Sequence, residues 1–316
     1  MKKILIILAC SLLSPSMKAQ NLVNNWSFED TIQCINYYGQ IDSCLGWNSY
    51  SQSPDYFNSC SSLMGVPFND VGFQYARTGN AYAGFITFAR YASNYREVIG
   101  TQLIQSLIIG QKYFVTFYVS RAYDTTNPSF NAKHVNGASN KIGARFSTVQ
   151  YSANNPVPID NFAQVYSDSV ITDTLNWVKI SGSFIADSTY QYVCFGNFFN
   201  DTVTTHILFD TTASCTYYYI DDAIVSIDSL FTSLNDFSYS FQQIKIIPNP
   251  AKDWIAIDGS DLKSVSIFDI LGRKYIEDVF VPTSLKSIYI GNLSKGIYFI
   301  QTNTLKQSST QKLIIQ

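Results

Sequence analysis

The chain has 316 residues, of which 14% are charged and 15% aromatic. That length is enough for two domains, and the wealth of Tyr, Phe, Ser, Thr and Asn favours strands and polar turns over helices. Residues 20–228 hold 9 basic and 16 acidic residues, net −7, and residues 229–316 hold 9 and 7, net +2; a −7 domain offers no basic face for phosphates and argues against nucleic acid.

In chain order, the first element is a three-part leader. Lys2 and Lys3 precede an apolar run from Ile4 to Leu13, and small and polar residues follow to Ala19. This is the layout of a secretory signal peptide, residues 1–19, cleaved after Ala19. A lipoprotein reading would cleave before Cys10, but it needs a shorter apolar run, and Leu8 is bulky two positions before the cysteine. No later segment has eighteen consecutive apolar residues, so no transmembrane segment is expected in the mature chain.

Residues 20–228 form the expected first domain. KYFVTFYVS (112–120) sets Tyr113, Val115, Phe117 and Val119 on one face, and NWVKISGSFIA (176–186) does the same with Val178 and Ile180, with Phe184 further along. QYVCFGNF (191–198) and YYYIDDAIVSI (217–227) follow, separated by polar loops. Short strands at these spacings predict an all-β sandwich of two antiparallel sheets. The five cysteines after the leader, Cys34, Cys44, Cys60, Cys194 and Cys215, all lie here. Sequence does not fix their connectivity; the expected pairs are Cys34–Cys44 and Cys194–Cys215, with Cys60 free. With no CxxC spacing and only His134 and His206, a zinc site is not expected.

Five segments in order carry a resemblance. LVNNWSFED (22–30), GWNSYS (46–51), GNAYAGF (79–85), LNWVKISGSFIA (175–186) and YYYIDDAIVSI (217–227) are similar to the strands of carbohydrate-binding modules of the family 4/9/22 type. The resemblance implies a galactose-binding-like jelly roll. It also implies a structural calcium where the first and last strands meet, with Glu29 and Asp221 at the matching positions and Asp222 as substitute; calcium favours such carboxylate sets. The plain alternative is that these acids end strands or face solvent. A glycan site needs flat aromatic faces and planar polar groups. The candidates are Trp47, Tyr56, Tyr75, Arg77, Tyr82 and Arg96, against a background in which most tyrosines simply pack. Trp26 and Trp177 are expected in the core, and Arg77 and Arg96 have nearby carboxylates such as Asp70 and Glu97 as alternative partners.

No nucleophile elbow, HExxH helix or phosphate loop occurs, and no spacing marks a pair of opposed carboxylates. The expectation is a non-catalytic protein, with no catalytic residues.

SLFTSLNDFSYSFQQ (229–243) reads as a polar linker. Beyond it, residues 244–316 turn compact and β again. IKIIPNPAKDWIAI sets two strands about a Pro-Asn-Pro turn, and Gly272 and Gly296 fall where turns need positive φ or close approach. The stretch is about long enough for a seven-strand sandwich. PNPAKDWIAI, VSIFDILGRK, LSKGIYFI and KLII, in that order, resemble the type A sorting domain of the type IX secretion system, with Trp254 where Leu or Ile is usual and Gln316 where the tail is often basic. The resemblance implies a small immunoglobulin-like β-sandwich, outer-membrane secretion machinery as partner, and a secreted or cell-surface location. The overall expectation is an exported protein whose jelly roll binds a glycan. The alternative is a structural or adhesive surface protein that contacts other proteins without glycan specificity.

Overall fold

The computed structural model describes residues 20–123, 130–229, 244–304 and 308–316. The expected signal peptide, residues 1–19, and the expected linker beyond Ser229 lie outside the described residues. The chain divides into two compact units at about residue 235.

In the first unit the strands run β1 (Trp47–Ser51), β2 (Asp55–Asn58), β3 (Phe68–Asn69), β4 (Gly72–Phe73), β5 (Ala81–Ala89), β6 (Val98–Gln102) and β7 (Lys112–Arg121). They continue with β8 (Gly137–Ser139), β9 (Ile142–Ser147), β10 (Val165–Tyr166), β11 (Val178–Ile185), β12 (Tyr192–Asn197), β13 (His206–Leu208) and β14 (Cys215–Ser226). One sheet has the order β1-β6-β12-β9-β10 and the other β11-β7-β14-β5-β2. All these pairings are antiparallel. The unit is an all-β sandwich.

The period-two pattern explains the packing. Tyr113, Val115, Phe117 and Val119 on β7 are fully buried, as alternation requires of a strand with one face on the core. β11 pairs β7 in unbroken register from Val178–Val119 to Ile185–Lys112. β14 is buried at every position because it lies between β7 and β5 and because its second face is also covered. There, Tyr218 Oη accepts from Ser139 N at 2.8 Å and donates to Ile171 O at 2.6 Å. Trp47 sits at the sandwich centre, its ring 4.5 Å from Phe28 and 6.0 Å from Phe195. Trp26 and Trp177 are partly buried against the same core. A smaller cluster, with Tyr50, Val98, Val157, Cys194 and Phe199, covers part of the outer face of the first sheet.

The opening residues run beside the last strand. Leu22 N donates to Val225 O at 2.8 Å and Ala223 N to Trp26 O at 2.9 Å. This pairing brings Glu29 near Asp222.

The cysteines pair differently from expectation. Cys34 is bonded to Cys60, while Cys44, Cys194 and Cys215 are free and buried. Cys44 is held inward, its Sγ accepting from Asn25 Nδ2 at 3.2 Å, whereas Cys34 and Cys60 are exposed. Cys194 and Cys215 do not meet because Cys194, on β12, packs in the outer cluster with Tyr50 and Val98, whereas Cys215, on β14, packs in the main core.

The second unit holds β15 (Lys245–Ile247), β16 (Trp254–Asp269), β17 (Lys274–Tyr289), β18 (Gly296–Thr304) and β19 (Ser308–Ile315). Seven strands were expected, and five are described. The difference lies in β16 and β17, sixteen residues each, whose pairing breaks register between Asp258 and Leu262. β17 doubles back, since Lys286 Nζ lies 2.9 Å from Asp278 Oδ2 although eight residues separate them in one strand. Each long strand thus does the work of two, and Ile255, Ile257, Val265 and Ile267 enter one core.

Candidate functional site

The aromatic cluster expected as a glycan platform does not form. Trp47, Tyr56, Tyr82 and Arg96 are each 0–1% exposed, so none offers a face to a ligand. Apart from Arg96 Nε, which is buried without a partner, their polar side-chain atoms are spent internally. Trp47 Nε1 donates to Asn25 O at 2.9 Å, Tyr56 Oη to Phe28 O at 2.7 Å and Tyr82 Oη to Gln74 O at 3.0 Å. Arg96 donates to Phe199 O and to Asp201 Oδ1, at 2.8 and 2.9 Å. Alternation along a strand cannot separate a core tyrosine from a binding one, which is why the error arose. Tyr75 alone is well exposed, with its ring 5.3 Å from Phe73, which in turn lies 4.6 Å from the exposed Phe68.

Arg77 belongs to a different constellation. Its guanidinium lies over the Tyr118 ring, 3.3 Å from the centroid, and forms an ion pair with Asp222. Three carboxylates surround the segment 77–81. Asp221 Oδ2 accepts from Arg77 N and Thr78 N at 2.8 and 3.1 Å, and its Oδ1 from Asp222 N at 2.7 Å. Asp222 Oδ2 accepts from Thr78 Oγ1 at 2.7 Å, while its Oδ1 is buried without a hydrogen-bond partner. Glu29 Oε1 accepts from Asn80 N and Ala81 N at 2.8 and 2.9 Å. Gly79, at φ +68°, lies so close that a Cβ there would collide with the Glu29 carboxyl group; only glycine leaves that cradle open. Burial raises all three carboxyl groups above their usual range, and the charge of Asp222 adds to the shift of Glu29 and of Asp221. Among the described residues, no three His, Cys, Asp or Glu side chains gather as a metal cluster.

Two open hollows lie elsewhere. A groove of about 500 Å³ lies between the 3-10 turn Ile41–Ser43, β1 and residues 150–152. A second hollow, of about 470 Å³, is bounded by Asn24, Gly46 and the end of β6. Asn48 and Gln150 line both, so the two adjoin. The topology explains the placement. Trp47 turns into the core, so Asn48 must point outward, and Gly46 at φ +84° makes the turn that opens β1. Asn24, Asn48, Gln102 and Gln150 are exposed, and none hydrogen-bonds to another described side chain or backbone group through its amide. Asp42 and the half-buried Tyr151 join them, and Ile104 supplies an apolar rim at 46% exposure. Sequence reading missed this site because isolated amides, Asn48 and Gln102 on strands and Asn24 and Gln150 outside them, form no pattern.

In the second unit, the Pro-Asn-Pro turn anchors the end of the chain. Asn249 Nδ2 donates to Lys312 O at 2.7 Å, and Asn249 Oδ1 accepts from Ile314 N at 2.9 Å. Ala251 and Gln316 extend the attachment through backbone bonds. In FDILGR, Asp269 Oδ1 accepts from Leu271 N and Arg273 N, and its Oδ2 from Arg273 Nε at 2.6 Å. Gly272 takes φ +80° in that turn, as anticipated.

Residues 245–316 match the family described as the secretion system C-terminal sorting domain. This tail identifies a protein exported by type IX secretion to the cell surface or the medium. No curated protein matches the chain. Among solved structures, the chain is similar to the CBM22-1 and GH10 modules of Clostridium thermocellum endo-1,4-beta-D-xylanase 10B complexed with xylohexaose. That match has 13% identity, 57% of this chain and 26% of that one, and a TM-score of 0.31. It is similar to the K3 cleaved adhesin domain of Lys-gingipain from Porphyromonas gingivalis, at 14% identity over 56% and 94%, TM-score 0.29. It is also similar to the CBM51-2 and INT domains of ZmpB from Clostridium perfringens, at 9% identity over 86% and 82%, TM-score 0.25.

Proposed function

We propose that the protein is a non-catalytic exported binding protein, led out by the signal peptide of residues 1–19 and the sorting tail, whose sandwich holds a glycan in the groove beside β1. The observation that supports this is the set of four amide side chains, Asn24, Asn48, Gln102 and Gln150, with unspent donors and acceptors along one groove. An amide both donates and accepts, which matches the hydroxyls of a sugar. Each hollow lies within the roughly 300–1,000 Å³ common for small-molecule sites. The test is a glycan array probed with the mature chain and with an Asn48→Ala, Gln150→Ala double variant. The reading expects binding that the double variant loses with its fold intact. Binding to no glycan, or equal binding by the variant, would sink it.

A second reading has its own support. The exposed Phe68 and Tyr75 flank the half-buried Phe73 in one aromatic run, but their rings meet at 64° and 83°. They share no flat face for a sugar, and exposed apolar groups of this kind suit contact with another protein.

A structural calcium is proposed at Glu29 and Asp222. The unpartnered Oδ1 of Asp222 and the Glu29 carboxyl group, for which Gly79 leaves room, are oxygen donors of the kind a hard cation takes. Asp221 serves as a clamp on residues 77–78, since both its oxygens already accept backbone N–H groups. Calcium would add to the positive charge that Arg77 already supplies beside Asp222.

A further inference from the structure

In the second unit, the ladder of β15, β16 and β17 carries large apolar side chains on both faces, and the core uses only one of them. Cross-strand partners in an antiparallel ladder share a face, so the register assigns the residues. Ile246 opposes Ile257, and Ile255 opposes Ile288. These are 0–8% exposed and belong to the core. On the other face Trp254 opposes Tyr289, Ala256 stands between Ile247 and Ser287, and Asp258 stands between Lys245 and Leu285. There Ile247, Trp254, Leu285 and Tyr289 are 46–59% exposed.

A sheet face in water is normally polar, and contiguous exposed apolar side chains mark contact surfaces. This face also has a shape. The small residues Ala256 and Ser287 form a low floor. The Trp254 and Tyr289 rings, 5.0 Å apart, bound it on one side, and Leu285 bounds it on the other. Ile247 closes one end, next to the Pro-Asn-Pro turn that Asn249 ties to β19. A low floor between large apolar rims suits one apolar anchor from a partner.

Further along β16, beyond the register break, the outer face is built differently. One row runs Lys274, Phe268, Phe299, Lys312 in register, with Lys274 Nζ 5.8 Å from the centre of the Phe268 ring. Lysine stems flank those aromatics and keep the row in water. The rows of Trp254 and Ala256 hold no charged residue.

Residues 245–316 match the sorting-domain family, so the export machinery must recognise this unit. We infer that the face of Ile247, Trp254, Leu285 and Tyr289 is where the outer-membrane machinery of type IX secretion binds, with an apolar side chain of the machinery seated over Ala256 and Ser287. This step rests on the sorting role of the tail and is independent of the glycan groove.

The test is made on the full chain in the native host. In the Trp254→Thr, Tyr289→Thr variant a strand-forming residue replaces each aromatic ring, so the purified protein should melt within about 3 °C of the parent. Its surface-displayed fraction, read by fractionation and protease shaving, should fall at least about tenfold, with the protein held in the periplasm. Leu285→Lys puts a charge on the rim and should repeat the loss; it decides the question if the double variant melts early. The Ile270→Ser, Leu271→Ser variant, altered at the exposed tip of the β16–β17 turn, should export normally. A benzoylphenylalanine photocrosslinker at position 254 should link to an outer-membrane component of the secretion machinery, identified by mass spectrometry. Normal display of the folded face variants would overturn the inference. So would an equal loss in the tip variant, or a cross-link from position 254 only to a second copy of this chain. Normal display of a chain that ends at about Ser240 would instead overturn the sorting role itself.

Discussion

Tyr217 Oη donates a hydrogen bond to Asp55 Oδ2 at 2.5 Å, deep in the sandwich, beside a second buried carboxyl group, Glu97. Gly39 N and Ile86 N also point at this pair, Gly39 to Asp55 at 2.6 Å and Ile86 to Glu97 at 2.9 Å. Ser53 Oγ and Tyr95 Oη reach Glu97 as well, at 3.2 and 3.4 Å. Burial, reinforced by Asp55, pushes the Glu97 carboxyl group up to about 8, and burial pushes that of Asp55 up to about 6.

The sign of the pH effect follows. In the unfolded chain both groups ionise near pH 4, so between that pH and about 8 the folded state binds more protons than the unfolded one. Their favourable contribution is complete at acid pH and is lost as pH rises through the folded values. Stability should therefore fall from pH 5 toward pH 8 by an amount on the order of a few kcal/mol, read by urea unfolding at each pH. Glu97→Gln should flatten the slope and leave the variant more stable than the parent at the alkaline end. An unchanged slope in that variant would remove the pair from the account.

The disulfide joins Cys34 to Cys60, 26 residues apart. Closing a loop of that length stabilises by about 3–4 kcal/mol in the chain-entropy model. Cys34→Ser or Cys60→Ser should cost roughly that amount, whereas Cys194→Ser should lose no cross-link. Peptide mapping of the unreduced protein decides the pairing. A Cys34–Cys44 peptide would restore the sequence-based expectation.

Trp47 and Asn48 are neighbours with opposite fates. Trp47 fills the core between Phe28 and Phe195, so Trp47→Ala should destabilise by about 3–5 kcal/mol. Asn48→Ala should leave stability within about 0.5 kcal/mol and act on ligand binding alone. Thermal melts and glycan affinity, measured on both variants, separate the two roles. A stable Trp47→Ala protein with lost binding would return the site to the tryptophan.

These cases show what the sequence could carry. Strand faces were legible because Tyr113, Val115, Phe117 and Val119 repeat with period two, and burial follows from that period. The tail was legible because Asn249, Asp269 and Gly272 each perform a turn function that tolerates few substitutes. The glycan residues were not. Tyr56 and Tyr82 obey the same alternation whether they face core or solvent, and only the neighbouring sheet decides. The groove joins residues 24, 48, 102 and 150, distant in sequence and unmarked by type. Cysteine pairing likewise depends on which side of a strand each thiol meets.

Calcium should raise the melting temperature of the mature chain relative to EDTA. A ligand present at about 100 times its Kd adds about 2.7 kcal/mol to stability. Glu29→Gln should remove the response, because it deletes one of the two carboxylates available to the cation. Gly79→Ala should weaken it too, since the added methyl group strikes the Glu29 carboxyl group. Equal melting in calcium and EDTA, together with a blank metal analysis, would leave the cluster an internal clamp, built from the Arg77–Asp222 ion pair and the backbone bonds to Asp221 and Glu29.

The sorting tail should govern location and leave ligand binding alone. Residues 245–316 match the sorting-domain family, and the tail forms a compact unit with its own core, built around Ile255, Ile267 and Leu313. The first unit closes its sandwich with β14, which ends at Ser226. A chain ending at about Ser240 should therefore keep its fold and its glycan affinity, measured by melting and calorimetry. In the native host it should remain in the periplasm, because a signal peptide carries it only across the inner membrane. A reporter placed behind a signal peptide and in front of residues 229–316 should reach the surface or the medium. Asn249→Ala is the finer probe. It removes both side-chain bonds that hold the Pro-Asn-Pro turn against β19, at about 1–2 kcal/mol for the pair, and should lower export without touching the sandwich. Cell fractionation with protease shaving reads all three proteins. Normal surface display of the truncated protein would refute the sorting role, and the tail would then become a candidate second binding module.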